Sequence, residues 1–123
     1  MTDDSPDQLL PLSPIVFHML IALADGEKHG YGIMKTVEED TYGEMRIPLG
    51  TLYGSIKRML AANLIEETEA RPDPALDDER RRYYRITPFG QQVLRAEIMR
   101  LDKQLALVRS KHIPGWADQG RAL

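Results

Sequence analysis

The residues that could do chemistry are few and scattered. The chain has three histidines, His18, His29 and His112, and no cysteine. No histidine has a partner at ligand spacing, so neither a zinc site nor a cysteine–histidine nucleophile is available. Adjacent carboxylates occur at Glu38-Glu39 and Asp77-Asp78, but neighbours in sequence do not converge on one substrate atom. No serine stands in a nucleophile-elbow setting. Gly30-x-Gly32 follows a helical segment rather than a strand, so the context of a phosphate loop is missing. These residues predict no enzyme, no cofactor and no metal.

The chemistry that is left is binding, and it centres on Leu49 to Leu60. At 3.6 residues per turn Leu52, Ile56, Met59 and Leu60 share one face, with Leu64 and Ile65 following. The sequence assigns Thr51, Ser55 and Arg58 to the opposite face, with Gly54 and Lys57 on its flanks. Such a small, polar or cationic face suits a helix lying in a DNA major groove. From Met45 to Ile65 there is no acid, whereas a solvated face normally mixes charge signs. Thr51, Ser55 and Arg58 are the candidates for base edges, and Lys57, Tyr53 and Tyr31 for phosphates.

The whole chain of 123 residues carries a net charge of −3, which does not suggest a nucleic-acid binder until it is divided. Residues 1–44 hold nine acids and two bases, a balance of −7, and residues 45–123 hold ten acids and fourteen bases, a balance of +4. Because salt screens charge within roughly 10 Å, the local excess matters more than the sum. A hydrophobic share of 42% and a charged share of 28% describe one soluble globular domain with short appendages. No apolar run approaches a membrane span and the start lacks a basic signal region, so the expected address is the cytoplasm, with no membrane partner.

Several elements must position that face. Residues 1–12 read as a flexible arm. Ser13-Pro14 starts a first helix, apolar on nearly every side to Ala24, which therefore has to be covered on more than one side. Asp25–Lys28 reads as a turn, and a second helix runs from about Tyr31 to Asp40. A strand follows the third helix at Ile65 to about Ala70. The chain returns through Arg80–Thr87, where Tyr84 and Ile86 alternate with Tyr83 and Arg85. The two strands form a hairpin wing, with Arg71, Arg80 and Arg81 as anchors near its tip. Thr87-Pro88 starts a long final helix. Leu94, Ile98, Leu101, Leu105, Val108 and His112 fall on a heptad seam of roughly 27 Å, more apolar surface than one chain hides. The fold expected is mainly α with a small β-hairpin (α+β): a winged helix-turn-helix over residues 13–87, a dimerisation helix over 88–112 and a tail over 113–123. A homodimer would bind a pseudo-palindromic operator in double-stranded DNA. The alternative is a winged-helix protein-interaction module without DNA readout.

Three separated motifs occur in order: His29-Gly30-Tyr31-Gly32-Ile33, then Gly50-Thr51-Leu52-Tyr53 with Met59-Leu60 and Leu64-Ile65, then Arg82-Tyr83-Tyr84-Arg85-Ile86-Thr87 with Gly90. Together they resemble the PadR-like transcriptional regulators over about residues 12–110. The resemblance implies a third helix in the major groove, a hairpin on the DNA backbone or minor groove, and a homodimer through the last helix. It also implies repression relieved by a small aromatic effector near the dimer interface, although no ligand motif of the family carries over onto specific positions. The apolar surface between the first helix and the last, near Phe17, Val93 and Ile98, is the expected pocket by its own chemistry, with Trp116 a flank. One departure is Gly54, where members of that family often have proline.

Overall fold

The computed structural model describes residues 5–68 and 82–115. Helix α1 spans Pro14–Ala24, and Ser13 caps it by accepting a hydrogen bond from the Val16 amide at 3.2 Å. A two-residue strand β1, Lys28–His29, leads into α2, Gly30–Asp40. There the His29 Nδ1 accepts the Gly32 amide at 2.9 Å, so an imidazole fills the cap position. Helix α3 spans Leu49–Ala61, strands β2 and β3 span Ile65–Thr68 and Tyr83–Ile86, and α4 spans Pro88–Arg109. The expected α+β winged helix-turn-helix is the fold observed.

The sheet has three antiparallel strands in the order β1-β3-β2. Glu66 opposes Arg85 in the hairpin, and His29 opposes Tyr83 on the other edge, with their rings edge-to-face at 5.4 Å. Strand β1 lies where the sequence reads partly as a turn, because two residues are too short to show alternation.

Met19, Leu20, Ala22 and Leu23 of α1 form the centre of the core. Ile33 and Val37 of α2, Leu52, Ile56 and Met59 of α3, and Val93 and Leu94 of α4 close around them. Helix α4 is seated tightly on the turn between α3 and β2. A Cβ at Gly90 would overlap the Leu64 carbonyl oxygen and stand 2.9 Å from Ile86 Cγ1. Only glycine permits that approach. Thr87 fixes the seat: its hydroxyl donates to the Asn63 carbonyl at 2.6 Å and accepts the Gly90 amide at 2.8 Å.

The arm differs from its expectation. Among residues 5–12, Pro6–Leu9 form a single 3-10 turn capped by Ser5, and Leu10 and Leu12 pack on the core. The Leu12 amide donates to Glu97 Oε2 at 3.3 Å. Apolar side chains and a buried acceptor far along the chain dock a segment whose local composition reads as loose.

Candidate nucleic-acid interface

Helix α3 has no acid, and its two sides differ sharply. Leu52, Ser55, Ile56 and Met59 are buried, while Gly50, Tyr53, Lys57 and Ala61 are exposed, with Gly54 between them in exposure. Ser55 therefore corrects the sequence reading: it is 1% exposed and cannot reach a base edge. It lies three residues after Leu52 and four before Met59, which places it on the core side of a 3.6-residue repeat. Its hydroxyl accepts from Arg58 Nη2 at 3.3 Å. Thr51 is half-buried on the same flank.

Arg58 is exposed but turned to one edge, where it lines a groove with Leu9, Pro11, Leu12 and Val16 of the arm and α1. The centre of the outer face is instead Gly50, Gly54 and Lys57. A Cβ at Gly50 would meet nothing within 4 Å, and one at Gly54 only Arg58 Nη1 at 3.6 Å. No packing within the described residues requires glycine at either position, although each costs a helix about 1 kcal/mol relative to alanine.

The two candidate tyrosines flank this face. Tyr31 is largely exposed near the start of α2. Tyr53 leans on the start of the same helix, where a Cβ at Gly30 would come within 3.1 Å of its Cε1 and 3.2 Å of its hydroxyl. Glycine at 30 thus lets the tyrosine of one motif close over the backbone of another. Tyr84 is buried beneath, and burial together with the nearby Glu67 carboxylate raises its hydroxyl above the usual tyrosine value, so it stays neutral.

On the wing, Arg85 Nε contacts Glu66 at 2.7 Å and Arg82 Nη1 contacts Glu67 at 3.1 Å. Arg71, Arg80 and Arg81, the expected anchors, lie outside the described residues. The histidines do not meet: His18 sits against Phe17, His29 caps α2 and His112 is exposed after α4. Among the described residues no group of histidine, aspartate and glutamate could hold a metal, and no helix is long and apolar enough to cross a membrane.

The seam on α4 divides. Leu94 is buried in its own core, whereas Ile98, Leu101 and Leu105 are exposed and Val108 is half-buried. Leu94 thus belongs to the fold rather than to an open seam. Val93 is fully buried and cannot line a pocket with Phe17 and Ile98, and Trp116 lies outside the described residues. Sequence reasoning also missed Glu97. This 2% exposed carboxylate receives Arg100 Nε at 2.6 Å, Arg100 Nη2 at 2.9 Å and the Leu12 amide. The Arg100 hydrogen bonds hold its carboxyl below the usual carboxylate value. Nothing local marks Glu97, since an acid on a long helix that also carries Asp102 and several bases reads as solvated.

This architecture has relatives. A PadR family transcription regulator from Clostridium difficile is 26% identical over 76% of this chain and 94% of its own, with a TM-score of 0.60. A transcriptional regulator from Clostridium thermocellum shares the fold at 22% identity, covering 89% of this chain and 96% of its own, with a TM-score of 0.63. Bacillus subtilis PadR, solved in complex with operator DNA, shares it at 21% identity over 85% of this chain and 52% of its own, with a TM-score of 0.58. An uncharacterized 37.1 kDa protein in a Streptomyces fradiae transposon is 34% identical over 79 residues, 64% of this chain. The match spans only 20% of that relative's length. The family model for the transcriptional regulator PadR-like family matches residues 19–96, and the chain belongs to that non-enzymatic family.

Proposed function

We propose that this regulator is a cytoplasmic, homodimeric repressor that places α3 in the major groove of a pseudo-palindromic operator. The observation that carries the reading is the outer face of α3. It is acid-free, open over Gly50 and Gly54, and carries Lys57 at its centre. In helix-turn-helix proteins the second helix of the pair enters the groove while the first crosses the backbone. Docked in that way, Lys57, Tyr53 and Tyr31 would lie within reach of phosphates. Arg58, held by Ser55 on the arm side, suits a phosphate at the groove edge better than a base, and Thr51 is left to graze the same edge. The wing's Arg71, Arg80 and Arg81 complete the proposed anchoring.

The dimer is supported by the far half of α4, where Ile98, Met99, Leu101, Leu105 and Leu107 are all exposed. Two copies joined there would present two α3 helices about one turn of DNA apart. A small aromatic effector would find room in a hollow of about 360 Å³ between the arm, the end of α3 and Phe89. From there it would touch both the reading helix and the root of the dimer helix.

The test is selection of sites from random duplex DNA, followed by titration of the recovered operator at several salt concentrations. A two-fold symmetric motif is expected. Lys57→Ala should weaken operator and scrambled DNA alike and lower the salt slope by roughly one per subunit. Recovery of no motif, with binding indifferent to salt, would leave a protein-interaction module as the better reading.

A further inference from the structure

Leu49 is the first residue of α3 and is 55% exposed. An exposed leucine alone says little, since isolated surface hydrophobics are common. Its position says more. The buried residues of α3 begin at Leu52, so the core does not use Leu49. The next residue, Gly50, has open space where a side chain would be, so the start of the helix can come close to an outside surface. Tyr53, one turn on, is anchored over Gly30, which fixes one edge of the ridge.

We propose that Leu49 is a specificity-determining residue that reads the C5 methyl group of a thymine in the operator. This rests on the DNA-binding reading above and adds to it the class of base contact. The first turn of a recognition helix is the part that meets base edges. A leucine has no hydrogen-bonding group, so it can discriminate bases only through apolar contact, and the thymine methyl is the apolar group that the major groove offers. The polar residues nearby are poorly placed for bases: Ser55 is buried, Thr51 is half-buried beside it, Arg58 is exposed but bound to Ser55 at the arm edge, and Lys57 is assigned to phosphate above. Readout by this helix then leans on the methyl contact.

Deoxyuridine separates the methyl group from the hydrogen-bonding pattern, because it differs from thymidine only by that methyl. Starting from the selected operator, each thymine is replaced singly by deoxyuridine, and wild type and Leu49→Ala are titrated on every duplex. One thymine per half-site should respond in wild type with a loss of roughly fourfold in affinity, the size of one apolar methyl contact. Leu49→Ala should bind the thymine and deoxyuridine forms of that position equally. Since Leu49 is exposed, circular dichroism should show an unchanged fold. If wild type ignores every deoxyuridine, or the variant keeps the same sensitivity, the proposal is overturned while DNA binding stands. If wild type selects no motif at all, the DNA-binding reading falls and takes this inference with it.

Discussion

The two halves of α4 lie on one continuous helix and one heptad pattern, yet they belong to different surfaces. From Pro88 to Glu97 the helix gives Gly90, Val93, Leu94 and Glu97 to its own domain. From Ile98 onward it gives almost nothing, and its large apolar residues face outward. A periodic pattern reports which residues want covering but not what covers them. In the first half the cover is α1, the sheet and the arm; in the second no described residue of the chain supplies it, and the proposed second copy would bring a matching seam.

The contrast can be broken most severely at Gly90. Gly90→Ala forces a side chain against the Leu64 carbonyl and should lower unfolding free energy by about 3 kcal/mol or more. Urea denaturation measures it, and a loss below about 1 kcal/mol would mean the seat is not tight. On the distal half the effect should fall on assembly instead. Replacing both Leu101 and Leu105 with lysine is expected to halve the mass seen by light scattering and to weaken operator binding. The secondary structure should be unchanged, because neither residue is in the core. An unchanged mass would remove the seam from the interface.

The smallest effect sits at the boundary. Glu97 has a carboxyl held below its ordinary value by Arg100, so the folded state binds its proton less readily than the unfolded chain does. Its contribution is present above the ordinary carboxylate value and is lost as pH falls through the lowered folded value. Glu97→Gln should therefore be less stable than wild type at neutral pH, with the gap closing in acid. Thermal unfolding from pH 7 downward reads it, and a gap independent of pH would mean that the charge contributes nothing.

Much of the fold was legible because its signals are local. Ser13-Pro14 and Thr87-Pro88 start helices where caps predict them, and the spacing of Leu52, Ile56 and Met59 gives the buried side of α3. The candidate site was less legible. The register centred on Leu52, Ile56, Met59 and Leu60 puts Ser55 on the opposite face, whereas Leu60 is exposed and Ser55, between Leu52 and Met59, faces inward. The docking of the arm had no local trace, since Leu12 meets an acceptor 85 residues away. The burial of Leu94 and exposure of Leu101 could not be separated either, because one repeat spans both.

That long reach sets an order of events during synthesis. At 5–20 residues per second, the ribosome takes roughly 4 to 17 s to add the stretch between Leu12 and Glu97. Through that interval Leu10 and Leu12 wait without their anchor, and the Leu64 carbonyl waits for the helix that will seat on it. The three earlier helices can form, but the domain closes only when its last helix emerges. A nascent chain paused before Glu97 therefore leaves the apolar side chains of Leu10 and Leu12 without that anchor.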